Sequence, residues 1–71
     1  MKTTDPRYEA FLKKVRAARK QSGMTQIEVA KSLRKTQAFV WKFEVGERRL
    51  DFMEVVELAK LYRKPITYFV P

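Results

Sequence analysis

From Tyr8 onward, apolar residues return every three or four positions: Tyr8, Phe11, Leu12, Val15 and Ala18. That spacing lays a single stripe down one face of a helix. Asp5-Pro6 supplies the start, a carboxylate able to accept from first-turn amides followed by a proline where a missing N–H costs nothing. The pattern predicts a first helix from Pro6 to about Gln21, stopped at Gly23. Thr25 and Glu28 then form a capping box, the threonine hydroxyl facing the Glu28 N–H while the glutamate reaches back. Val29, Ala30 and Leu33 are the buried side of this second helix, with Ile27 at its edge, and it ends near Leu33.

After two or three residues Thr36 is placed to cap a third helix, Gln37 to Glu44, whose buried face is Phe39, Val40 and Phe43. Val45-Gly46 stops it. Asp51 and Glu54 repeat the pairing of a cap with an acidic residue three positions on, and Met53, Val55, Val56, Leu58, Ala59 and Tyr62 drive a fourth helix to about Tyr62. Arg63-Lys64-Pro65 breaks it, and Pro65 to Val70 closes in a short turn with Ile66, Phe69 and Val70 facing inward. There is no internal repeat, low-complexity stretch or Gly/Ser linker. The expected architecture is all-α: one domain over residues 1–71, with four to five helices.

Composition narrows the chemistry. A chain of 71 residues with 45% hydrophobic content supports one small core. It contains no cysteine and no histidine, so neither a disulfide nor a zinc site of the usual kind staples it, and a tightly packed helical bundle is what remains. The same absences remove the common general base, the thiol nucleophile and most transition-metal ligands. No glycine-rich phosphate loop is present, and the eight carboxylates are scattered. The expectation is a non-enzyme with no cofactor, no metal and no evident small-molecule effector. Met1 to Arg7 leads into charged, amphipathic sequence rather than a secretory signal, and no apolar run approaches a membrane span, so a cytoplasmic protein is expected.

The net charge of +8 is localised. Between Lys13 and Arg49 there are eleven Lys or Arg against three Glu, so this segment alone accounts for +8, while five basic and five acidic groups cancel elsewhere. Such an excess suits a polyanion-binding surface, because every phosphate neutralised releases counterions. A solvated surface that merely keeps the protein soluble is the alternative reading of charge alone.

Two short helices joined by a tight turn, the second with polar residues at its N-terminal end, are the layout of a helix-turn-helix. Thr25-Gln26-Ile27-Glu28-Val29-Ala30, Leu33, Thr36-Gln37-Ala38-Phe39-Val40 and Glu44-Val45-Gly46-Glu47-Arg48 resemble the pattern of the Cro/C1-type (XRE family) helix-turn-helix proteins, small stand-alone bacterial regulators among them. The resemblance spans roughly Phe11 to Val70. It implies a lambda-repressor-like domain that binds double-stranded DNA as a transcriptional regulator, with repression the expected sign. It also implies that Thr36 to Glu44 enter a major groove and that homodimers occupy paired half-sites.

The resemblance assigns base reading to Thr36, Gln37, Ala38 and Lys42. Chemically, Gln37 can pair with adenine N6 and N7, Ala38 can lie on a thymine methyl, and Lys42 can reach guanine or phosphate. For Thr36 a helix cap is sufficient explanation. Gln26, at the first turn of the second helix, is matched to a backbone phosphate contact, against the alternative of a solvated side chain beside a cap. Arg19 and Glu44 match a structural pair that fixes the third helix, Arg19 also lying near the DNA backbone. Arg34, Lys35 and Arg48 are further phosphate candidates, with Lys13, Lys20 and Arg49 behind them. Trp41 stands where related sequences carry a small polar residue. Its indole N–H could flank a phosphate, its ring could touch a base edge or a dimer partner, or it could close the core edge.

Arg34-Lys35 departs from the family's glycine in the turn. Because a left-handed backbone costs a non-glycine residue about 1 kcal/mol, a different turn geometry is expected there. For the dimer contact, Tyr68, Phe69 and Val70 are candidates, with burial in the core as the alternative. Three other functions remain open on sequence grounds. An antitoxin-like or adaptor module on the same fold is the strongest rival, because fold alone does not fix function. A membrane-surface role for the first helix is weaker, since its apolar stripe serves a core. RNA binding lacks an exposed stacking platform beyond Trp41.

Overall fold

The computed structural model describes residues 5–71, so the part of the N-terminal reading that concerns residues 1–4 lies outside it. Four helices and a closing turn are arranged in order: α1 (Pro6–Gln21), α2 (Gln26–Leu33), α3 (Gln37–Val45), α4 (Phe52–Tyr62) and a 3-10 turn (Ile66–Phe69). Each helix begins where the cap chemistry says it should. Asp5 accepts from the Arg7 amide at 2.9 Å. Thr25 and Asp51 accept from Glu28 and Glu54 amides at 3.1 and 2.8 Å, and both glutamates return the bond. Thr36 accepts from Phe39 at 3.2 Å. α3 runs one residue beyond the expected Glu44 and ends on Gly46, whose φ of 89° is the left-handed cap that glycine adopts without strain.

The core is assembled from all five elements: Leu12, Val15 and Ala18 of α1, Val29 and Ala30 of α2, Val40 and Phe43 of α3, Leu58, Ala59 and Tyr62 of α4, and Phe69 of the closing turn. Burying a Phe or Leu side chain fully contributes about 1.5–3 kcal/mol, which for a chain this short is a large share of its stability. Phe39 and Phe43 meet edge to face with centroids 5.7 Å apart, and Phe11 meets Phe69 the same way at 6.4 Å, tying the closing turn to α1.

Three residues expected inside are outside. Met53, Ile66 and Val70 are all exposed. Met53 falls on the far side of α4 from Leu58, Ala59 and Tyr62, so its apolar type places it in the buried stripe while its helical phase does not. In the closing turn Phe69 is buried in the core and Tyr68 packs partly against it, and its burial removes Phe69 from the candidates for a dimer contact.

The Arg34-Lys35 turn also corrects an expectation. Arg34 does adopt the left-handed conformation, φ 57° and ψ 43°. Lys35 N–H donates to Ala30 O at 2.9 Å and Arg34 N–H to Lys31 O at 3.1 Å. These are helix-terminal carbonyls that would otherwise lack partners, and at about 0.5–1.5 kcal/mol per bond they offset the strain. α4 ends identically: Arg63 has φ 59°, and Lys64 N–H donates to Ala59 O at 2.9 Å. The two ends share a short sequence likeness, Glu28-Val29-Ala30-Lys31-Ser32-Leu33-Arg34-Lys35 against Glu57-Leu58-Ala59-Lys60-Leu61-Tyr62-Arg63-Lys64. The next residue sets them apart. Thr36 caps a new helix, whereas Pro65 turns the chain away.

Candidate nucleic-acid interface

α2 and α3 bring their N-terminal ends to one edge of the molecule, and a chain of side chains joins them. Gln37 Nε2 donates to Gln26 Oε1 at 3.2 Å, and Gln26 Nε2 donates to Glu44 Oε1 at 3.0 Å. Glu44 is held from behind by Arg19, whose Nε and Nη2 reach its two oxygens at 2.7 and 3.1 Å. Arg19 Nη1 also binds Met24 O at 3.1 Å, and Arg16 donates to the Glu44 backbone carbonyl. Glu44 is only 1% exposed, the one buried charged residue in the described core. A buried carboxylate is tolerated when its oxygens are filled, and here three side-chain donors fill them. The result is a polar spine from α1 through α3 and α2 that ends at the solvent-facing amide of Gln37.

Both first turns carry amides that no carbonyl within the helix can satisfy. Thr25 and Thr36 each take one, leaving those of Gln26, Ile27, Gln37 and Ala38 directed outward with the positive ends of the helix dipoles. Two such termini at one edge, linked by a glutamine pair, form an arrangement suited to a phosphate oxygen.

The outer side of α3 is Gln37, Ala38, Trp41 and Lys42, all exposed. Trp41 is 45% exposed, a partly buried ring with one side open to solvent. Thr36 is exposed and committed to its cap. Arg34 and Lys35 project from the turn, with the Lys35 ammonium 5.2 Å from the Phe39 ring centroid. Arg48 differs from the other cations because both its Nη atoms are taken by Glu54 at 2.9 and 2.8 Å, and its guanidinium covers the other approach to Phe39 at 4.6 Å. The guanidinium holds the Glu54 carboxyl below the usual carboxylate range, against a smaller opposing effect of burial. Arg49, beside it, lies over the Tyr8 ring at 4.1 Å.

Two residues at this edge escape a reading of the sequence. Arg16 grips the end of α3, a role signalled only by its lying one helical turn before Arg19. Ile27 is exposed beside Gln26 and Gln37, in a shallow groove that Arg19, Lys20 and Met24 complete. Its apolar type points instead to a core edge. Among the described residues no cluster of carboxylates could hold a metal ion, and no helix is long and apolar enough to cross a membrane.

Comparison with known proteins bears on the family and the fold. A search of curated proteins returns no match. Among solved structures, the one described as the S. venezulae BldD DNA-binding domain superposes with a TM-score of 0.80 at 26% identity, over 94% of this chain and 100% of that one. The helix-turn-helix family profile matches residues 15–69, which contain the whole polar spine and both linked helix termini. The chain therefore belongs to the XRE-type helix-turn-helix family.

Proposed function

We propose that this protein is a sequence-specific double-stranded DNA-binding transcriptional regulator, acting as a repressor in the cytoplasm, with α3 lying in the major groove. The observation that carries the reading is the convergence of two helix N-termini, joined through Gln37 and Gln26, within the segment that holds the whole excess of positive charge. Membership of the helix-turn-helix family and likeness to a DNA-binding domain support it.

In this reading Gln37 and Ala38 meet base edges, with Thr36 at the entry and Lys42 one turn further in. Gln26 and the α2 amides take a phosphate on one side of the groove. Arg34, Lys35 and the Trp41 indole N–H flank the backbone, while Arg19, whose guanidinium is taken up by Glu44 and Met24 O, serves to hold the spine that presents Gln26 and Gln37. Arg48 is already engaged by Glu54, so its first role is to brace the loop after α3, and its pull on phosphate is long-range. The protein acts as a homodimer, because a single reading head of this size binds weakly and paired heads add their contacts.

Selection of bound duplexes from a randomised pool at about 150 mM salt tests the reading under conditions that screen purely electrostatic attachment. The expected result is an inverted repeat with half-sites about 34 Å apart. A pool that stays random, with binding that depends on salt but not on sequence, would overturn it.

A further inference from the structure

One apolar side chain stands at the polar edge without a part in the fold. Ile27 is 53% exposed, and the core takes from α2 only Val29 and Ala30, with Leu33 packed at its border. A polar residue at this position would therefore serve folding as well. The groove that Ile27 lines also holds Gln26 and Gln37, the two linked glutamines, and Lys20, Gly23 and Met24 complete it. The Ile27 N–H is one of the α2 first-turn amides directed outward, since the Thr25 hydroxyl takes that of Glu28. Helical side chains lean toward the N-terminal end, so the Ile27 side chain inclines to the same end its amide faces.

We propose that Ile27 packs against a deoxyribose of the bound strand, a backbone contact that carries no charge and reads no base. The proposal rests on the DNA-binding reading and adds an apolar anchor to its phosphate contacts. A phosphate never arrives alone. The atoms bonded to it are carbons of the flanking sugars, whose C–H faces are the apolar part of the backbone, so a phosphate oxygen held by the Gln26 side chain or the Ile27 amide brings a sugar to the Ile27 side chain. This follows from covalent connectivity and holds whichever way the strand runs. The surroundings select the same occupant: the groove lies within the Lys13–Arg49 segment that holds the charge excess, and Lys20 is exposed beside it, which draws a polyanion there. A β-branched side chain has few rotamers to lose, so ordering it costs little. Covering it takes apolar surface out of water, a gain that added salt does not screen.

The test measures wild type, Ile27→Ala and Ile27→Val on the selected duplex, on its single-base variants and on an unrelated duplex, each over a range of salt concentrations. Neither substitution alters charge or a core residue, and circular dichroism checks that both variants are folded at the assay temperature. Ile27→Ala is expected to weaken binding to every duplex by the same factor, about three- to tenfold. The slope of log affinity against log salt should not change, because an apolar contact releases no counterion. Ile27→Val keeps most of the contact and should stay within about twofold of wild type. Equal binding by wild type and Ile27→Ala overturns the proposal. A loss confined to one base pair, and reproduced in wild type when uracil replaces the thymine there, also overturns it by assigning Ile27 to a base methyl group. So does a changed salt slope, which would mean that the substitution had displaced the phosphate contacts themselves. Base reading fails separately: if selection yields no motif, a loss of the same size on the unrelated duplex still supports the Ile27 contact, and if wild type binds no duplex, both fall.

Discussion

The molecule contains two arginine–glutamate pairs of nearly the same geometry in very different surroundings. Arg19 and Glu44 approach to 2.7 Å with side chains 13% and 2% exposed, while Arg48 and Glu54 approach to 2.8 Å with side chains 40% and 23% exposed. The first pair sits in the polar spine that holds α3 against α1 and α2. The second braces a surface loop and shields Phe39. Bond length therefore says little about the role of either pair. Burial decides, because removing one partner from a dry site strands the other's charge, whereas water re-solvates an exposed partner.

Breaking the buried pair should have the largest effect. Glu44→Ala leaves Arg19 without its partner and removes the acceptor of Gln26, a loss of about 3–5 kcal/mol. In a chain of this length that corresponds to a melting temperature lower by roughly 15–30 °C, measured by circular dichroism. A drop under about 5 °C would mean that the spine is incidental to stability.

Glu54→Ala removes the exposed pair together with the reciprocal half of the α4 capping box, where Glu54 Oε1 accepts from the Asp51 amide at 2.9 Å. The expected cost is about 1 kcal/mol, since exposed pairs contribute little and caps of this kind about as much again. Sequence preference on DNA should be unchanged. If Glu54→Ala proved as damaging as Glu44→Ala, burial would not be the deciding variable.

The exposed pair also carries a pH signature. Because Arg48 lowers the Glu54 carboxyl from its ordinary 4.5, the folded state holds fewer protons than the unfolded one as the two titrate. The stabilisation is complete above about pH 4.5 and is lost as pH falls through the lowered folded value. In Glu54→Gln that part of the acid loss should vanish from a stability profile taken between neutral and acidic pH. An unchanged profile would assign the loss to other carboxylates.

The smallest predicted effect has the opposite sign. Arg34→Gly relieves the left-handed strain at the end of α2 and should raise stability by up to about 1 kcal/mol, offset in part by the greater freedom of glycine in the unfolded chain. It should also weaken DNA binding without changing base preference, by removing a cation beside the groove. A stability loss would show that the arginine side chain supports the turn.

These elements show what a sequence discloses. Helix starts are legible because a cap is local chemistry: Thr25, Thr36, Asp5 and Asp51 each act within three residues of their own position. The end of α2 is misjudged when residue type is weighed without the bonds the turn forms, and Arg63 shows that the same eight-residue pattern resolves the strain the same way twice. Met53, Ile66 and Val70 mislead because apolar type does not say which face a neighbour covers. At the site, the resemblance supplies the Arg19 and Glu44 pairing, but the hydrogen bonds from Gln37 to Gln26 and from Gln26 to Glu44 cross eleven and eighteen positions. Only the packed orientation of α2 against α3 creates them.

In the proposed DNA complex the spine presents Gln37 to a base and Gln26 to the backbone. The most direct measurement is the affinity of Gln37→Ala and Gln26→Ala for the selected duplex and for single-base variants of it. Both substitutions break the same mutual hydrogen bond, so that loss cancels in the comparison. Gln37→Ala is expected to relax preference at one base pair by about 1–3 kcal/mol and leave the others intact, while Gln26→Ala weakens every sequence alike. Identical profiles for the two variants would contradict this division of roles.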